Sequence, residues 1–141
     1  MDKNDFAKNM LMLNILSQSA CESQEKELSK KNFLSTDTKI MFLIDSYERI
    51  SPSFLTQRLK IAKSNIALMC KKLIENGFIT QTPDLKDKRI VYYCLTNLGK
   101  DYLNEKLSEI QNNLEAVCIK DNIDNINSYV QDLNEILEKR F

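Results

Sequence analysis

Residues 55–77, LTQRLKIAKSNIALMCKKLIENG, limit what this chain can fold into more than any other stretch. They read as two short helices joined by a tight corner. Placing the second at 100° per residue puts Ile66, Met69, Cys70 and Leu73 on one face. Ser64, Leu68, Lys71 and Glu75 fall opposite, with Asn65, Ala67 and Lys72 on the flanks. Gly77 suits the left-handed position that ends a helix. Residues 78–82 and 89–95 then read as two strands, with Val91, Tyr93 and Leu95 alternating inward. The loop between them, PDLKDK, carries a turn proline and leads into Arg89. A helix pair feeding a basic hairpin is the layout of a winged helix-turn-helix, whose second helix reads DNA.

The charge distribution agrees with that layout, although 20 basic and 20 acidic residues cancel over the whole chain. Residues 58–89 hold eight cations (Arg58, Lys60, Lys63, Lys71, Lys72, Lys86, Lys88, Arg89) against Glu75, Asp84 and Asp87, a surplus of +5. Residues 97–141 hold five basic and nine acidic side chains, a deficit of −4. Positive charge gathered on the helix pair and hairpin is what a phosphate-facing surface requires. An arginine at the hairpin loop can enter a minor groove, where negative potential is focused. Asp87, two residues before Arg89, could pin that guanidinium by a charge-assisted pair. An exposed Leu68 in mid-face could meet thymine methyl groups in a major groove.

The remaining segments supply helices. Phe6, Met10, Leu13, Leu16 and Ala20 recur at three- and four-residue steps, which predicts a long helix over about residues 5–28, its second half polar. Ser35 reads as an N-cap for a helix with Ile40, Leu43, Ile44 and Tyr47 as its buried stripe. A short extended piece over residues 47–51 comes next. Pro52 suits the first position of a brief helix, residues 53–60, with Leu55 and Leu59 facing in. Thr96 caps a helix through Leu98, Tyr102, Leu107, Ile110, Leu114 and Val117 to about residue 120. A last helix begins after Asp121, with Ile123, Ile126, Val130, Leu133, Ile136 and Leu137 near heptad spacing. These two helices carry more apolar surface than a small reader can cover, and pairing with a second copy is the simplest remedy. The expectation is one mostly α domain over residues 1–141 with a small β-hairpin wing. Residues 33–97 form the DNA-binding part, and residues 1–32 and 98–141 supply the dimerisation helices.

Several function classes are disfavoured. No apolar run approaches the roughly 18 residues of a membrane span, and the N-terminus lacks a secretory pattern, so a cytoplasmic location is expected. The chain has no histidine, no glycine-rich loop and no convincing nucleophile–base pair, which argues against an enzyme. Cys21, Cys70, Cys94 and Cys118 are far apart without a CxxC pairing, so no metal or other cofactor is expected and buried free thiols are the simpler reading.

Residues 33–103 resemble the multiple-antibiotic-resistance regulator (MarR) family of winged-helix transcription factors. The resemblance is carried by L-T-Q-R-L (55–59), S-N-I-A-L-M-C-K-K-L-I-E-N-G-F-I (64–79), D-K-R (87–89) and L-T-N-L-G (95–99). The pairing of D-x-R with L-T-x-x-G is its most specific part. By position, the resemblance makes Arg89 the wing arginine with Asp87 as its orienting partner. It lines the recognition helix with Ser64, Asn65, Ala67, Leu68 and Lys72, and phosphate contacts would come from Lys63, Lys71, Lys72, Lys86 and Lys88. It also implies a homodimer placing two reading heads about one DNA turn apart on a pseudo-palindrome, most often as a repressor, and often a small aromatic effector bound between reader and dimer helices. The chain departs from the family at the corner, where L-G-x-S is common and Leu59-Lys60-Ile61-Ala62 stands here, and at Leu68, commonly basic or polar. Cys21 does not match the sensing cysteine of the peroxide-responsive members, and the histidines of the zinc-sensing members are missing. A winged-helix module that binds protein instead of DNA is the alternative these departures support.

Overall fold

Two serines set where the first helices of the reader begin. The Ser35 hydroxyl accepts the Thr38 N–H at 3.2 Å and starts α1 (Thr36–Ser46), with Asp37 in its first turn where the helix dipole favours an acid. The Ser51 hydroxyl accepts the Phe54 N–H at 3.2 Å and starts α2 (Pro52–Leu59), whose proline occupies the first turn, where no donor is needed. The structure, a computed structural model, describes residues 5, 7–9, 11, 12, 15, 35–117 and 120–140, with no side chains described at 110, 113–117 and 120–123. After α2 come α3 (Lys63–Glu75), β1 (Ile79–Pro83), β2 (Val91–Leu95), α4 (Asn97–Val117) and α5 (Lys120–Glu138). The described chain is thus mostly helical, with one antiparallel hairpin pairing Ile79 with Leu95 and Pro83 with Val91.

The chain divides into two compact units, residues 1–100 and 101–141. In the first, Ile40, Met41 and Ile44 of α1, Leu55 of α2, and Ile66, Cys70 and Leu73 of α3 are buried with Ile79 and Tyr93 of the hairpin. Ile50 exchanges backbone hydrogen bonds with Tyr93 (3.1 and 2.8 Å), so the extended piece after α1 becomes a single bridge to the hairpin. The buried stripe of α1 differs from the expected one. Met41 is fully buried, whereas Tyr47 is exposed. Tyr47 caps the helix end, where the chain turns away, and its ring lies 5.0 Å from that of Phe54 instead of in the core.

Helix α3 ends in a Schellman motif. The Phe78 N–H donates to Leu73 O (2.9 Å) and the Gly77 N–H to Ile74 O (3.0 Å), with Gly77 at φ +78°. That turn leads directly into β1. At the loop end β1 runs one residue further than expected, to Pro83, whereas β2 is shorter: it begins at Val91, and Arg89 and Ile90 belong to the loop, because carboxylate and carbonyl acceptors of Asp84 and Asp87 take their neighbours' N–H groups. Of the three inward positions expected on β2, Tyr93 is buried and Val91 and Leu95 are half-buried.

L-T-x-x-G has a structural reason. The Thr96 hydroxyl donates to Gly77 O at 2.6 Å, lies 3.1 Å from Phe78 O and accepts the Gly99 N–H at 3.0 Å, capping α4 and fastening it to the turn before the hairpin. Gly99 is required by space: a Cβ there would overlap the Phe78 carbonyl oxygen and lie 3.3 Å from Leu95 Cδ2.

In the second unit, α5 leaves Ile126, Tyr129, Val130, Ile136 and Leu137 exposed, with Leu133 half-buried. The expected apolar stripe is therefore open to solvent in the single chain. The expected side-chain placements of Ile110, Leu114, Val117 and Ile123 fall outside the described residues. Helical backbone is described at residues 5, 7–9, 11, 12 and 15, and Leu11, Met12 and Ile15 are exposed. The predicted stripe Phe6, Met10, Leu13, Leu16 and Ala20, with Cys21 and Cys118, lies outside the described residues.

Candidate nucleic-acid interface

Helix α3 presents the face that its sequence periodicity predicts. Ile66, Cys70 and Leu73 are buried, Met69 is half-buried, and Lys63, Ser64, Asn65, Ala67, Leu68, Lys71 and Lys72 are all exposed. Leu68 stands 54% exposed in the middle of that face. On the buried side, the Cys70 thiol interacts with the Tyr93 hydroxyl of the hairpin. Burial pushes the Cys70 thiol up to about 11 and the Tyr93 hydroxyl up to about 12, so both stay protonated. This contact braces the helix; it offers no reactive thiolate.

The corner before α3 bears the marks of its unusual sequence. Lys60 adopts the left-handed conformation (φ 56°, ψ 40°) where the related pattern has glycine. Ala62 occupies the N-cap and makes no side-chain cap bond. Its carbonyl accepts the Asn65 and Ile66 N–H groups at 3.0 and 3.1 Å. The first N–H groups of the helix, beside the Lys63 ammonium, are uncapped by any side chain, and such groups attract anions.

The wing loop is built by its two acids. Asp84 Oδ2 accepts the N–H groups of Lys86 (3.2 Å) and Asp87 (3.1 Å), and the Asp84 N–H donates to Ile90 O at 2.8 Å. Asp87 grips Arg89 at three points. Oδ1 accepts the backbone N–H (3.1 Å) and Nε (3.0 Å), and Oδ2 accepts Nη2 (3.0 Å). The paired guanidinium holds the Asp87 carboxyl below the usual carboxylate value, and the carboxylate raises the arginine's affinity for its proton. Both are charged at neutral pH. The Arg89 side chain remains 90% exposed, so the pair aims it outward instead of burying it. Lys86 and Lys88 flank it, also exposed.

Two further arginines join this unit in ways the sequence left unread. Arg49 lies outside the basic stretch, yet its guanidinium sits 4.4 Å above the Tyr92 ring of β2. The Ile50–Tyr93 bridge brings it there, and no local pattern signals that pairing. Arg58, counted among the stretch's cations, lies against Phe54 (5.0 Å) and Tyr47 (5.9 Å) and donates to the Tyr47 hydroxyl at 3.3 Å. Among the described residues no cluster of three histidine, cysteine or acidic side chains could hold a metal ion, and no helix is long and apolar enough to cross a membrane.

Residues 33–91 match the model of the MarR family. The uncharacterized HTH-type transcriptional regulator YkoM of Bacillus subtilis (strain 168) is 33% identical over 91 residues, 62% of this chain. The match spans 57% of that relative's length. Among solved structures, the transcriptional regulator BldR from Sulfolobus solfataricus superposes with a TM-score of 0.74 at 25% identity, covering 99% of both chains. A mutant of MarR from E. coli, complexed with operator DNA, superposes with a TM-score of 0.61 at 17% identity, covering 94% of this chain and 99% of that one.

Proposed function

We propose, from the match of residues 33–91 to the MarR family model, that the protein is a homodimeric DNA-binding regulator of transcription, acting as a repressor on a pseudo-palindromic operator. The observation that carries this reading is the Asp87–Arg89 pair, which holds an exposed guanidinium by two hydrogen bonds, with a third to its backbone N–H, on a loop flanked by Lys86 and Lys88. Ser64, Asn65, Ala67 and Leu68 on α3 would meet base edges. Lys63, Lys71, Lys72, Lys86 and Lys88 would meet phosphates and supply most of the affinity, while Arg89 enters the neighbouring minor groove. The exposed apolar residues of α5 support pairing with a second copy, which covers Ile126, Val130, Ile136 and Leu137. A small aromatic ligand would then release the operator by changing the separation of the two heads.

The test is fluorescence anisotropy on the DNA upstream of the protein's own gene, over a series of salt concentrations. The parent binds with a steep salt dependence. Arg89→Ala weakens binding by about tenfold or more and makes the slope of log K against log salt shallower by roughly one. Unchanged affinity in that variant would refute the wing assignment. The exposed Leu68, with a net charge of zero, favours a second reading, a winged-helix module that binds protein. A parent that retains no random duplex even at low salt would establish that reading in its place.

A further inference from the structure

The wing loop exposes apolar side chains among its cations. Leu85 is fully exposed at the apex and Ile90 is 44% exposed where the loop returns to β2. A single exposed leucine is ordinary in a soluble protein, so exposure by itself decides little. Here two further observations bear on it. The apex is held in shape, because Asp84 Oδ2 accepts the two N–H groups that come after Leu85 and the Asp84 N–H is bonded to Ile90 O. Leu85 therefore projects from a fixed turn. The same turn carries Lys86, Lys88 and Arg89, with Arg89 aimed outward by Asp87. An apolar tip followed on the same turn by three cations is complementary to a surface with apolar walls and a rim of negative charge.

From this arrangement we infer that Leu85 is a specificity-determining residue of the wing, packing against the deoxyribose and base surface of a duplex minor groove beside Arg89. The inference rests on the DNA-binding reading above. A minor groove has phosphates along both edges and sugars as walls, so Lys86 and Lys88 can reach an edge while the leucine at the apex meets the sugars. Apolar side chains wedged into that groove read how readily a base step opens, which depends on sequence. The contact is uncharged, so its contribution does not depend on counterion release. A partner protein is the other occupant such a tip could meet, but it would need an acidic rim around an apolar slot, which a duplex supplies everywhere along its length.

The experiment begins with duplexes selected from a randomised pool by the parent protein. Parent, Leu85→Ala and Lys86→Ala are then titrated against a selected duplex and against random duplex across a series of KCl concentrations. Leu85 supports nothing in the fold, so circular dichroism and melting of Leu85→Ala match the parent. Loss of the leucine's buried carbons weakens binding to the selected duplex by about tenfold, leaves its salt slope unchanged and alters random duplex by less than about twofold. Lys86→Ala, by contrast, makes the slope shallower by roughly one on both duplexes. Equal affinity of Leu85→Ala and parent for the selected duplex overturns the inference. So does an equal loss on random duplex, or a loss accompanied by a shallower slope. A parent that selects no duplex overturns the DNA-binding reading as well, and the two failures are distinct.

Discussion

Replacing Gly99 by alanine should be the most damaging single-methyl change in the reader. Gly99 lies in the first turn of α4, and a Cβ there would overlap the Phe78 carbonyl oxygen, approach the Phe78 carbonyl carbon at 3.0 Å and Leu95 Cδ2 at 3.3 Å. Backbone atoms at the mouth of the hairpin cannot swing aside as a side-chain tip would, so the helix start has to withdraw. Overpacking of this kind costs about 1–3 kcal/mol. Withdrawal also stretches the bond that Phe78 O accepts from the Thr96 N–H (3.0 Å), worth about 1 kcal/mol. Alanine's better helix propensity returns about 1 kcal/mol. The net is a loss of about 2 kcal/mol, or a fall in Tm of about 6 °C at roughly 3 °C per kcal/mol for a chain of this size. Gly77→Ala is the internal control. Its backbone is left-handed at φ +78°, but a Cβ would meet nothing closer than Leu98 Cδ2 at 3.7 Å, so its cost is conformational, about 1 kcal/mol. Thermal melts monitored by circular dichroism rank the two variants. A Gly99→Ala melt at or above that of Gly77→Ala would refute the claim that close approach, and not backbone freedom, fixes glycine at 99.

The corner before α3 should accept repair. Lys60→Gly removes a left-handed conformation costing about 1 kcal/mol, partly offset by glycine's freer unfolded chain, for a gain of about 0.5 kcal/mol. Ala62→Ser restores a missing cap for about 1 kcal/mol; a lower urea midpoint in either variant would show that the corner is held by something else. Stability should also fall with rising pH across the alkaline range. Burial holds Cys70 and Tyr93 protonated to about 11 and 12, above their ordinary 9.0 and 10.0. The unfolded chain releases these protons first, so the urea midpoint holds up to about pH 9 and declines from there toward about pH 12. Cys70→Ala should remove the lower part of that decline, and a decline identical to the parent's would sink the assignment.

Local pattern was enough to identify the helices described from residue 36 onward, the hairpin and the outward face of α3, because each rests on short-range physics. Ser35 and Ser51 cap the helices that begin beside them, Gly77 closes a Schellman motif, and burial of Ile66, Cys70 and Leu73 comes from 3.6-residue periodicity. The D-K-R sequence likewise foretold the Asp87–Arg89 pair, since residues two apart in a turn reach each other without help from the rest of the fold. Periodicity misplaces Tyr47 because the pattern continues past the point where the helix stops. What only the tertiary structure decided were contacts between segments far apart in sequence. Arg49 stacks on Tyr92 because Ile50 bridges Tyr93, more than forty positions away. Thr96 and Gly99 are explained by a carbonyl at Phe78, a partner that becomes visible when the turn after α3 meets the start of α4. The sequence determined which surfaces the reader would show; the long-range packing determined which of its side chains are braced, because a brace depends on a neighbour that local periodicity does not encode.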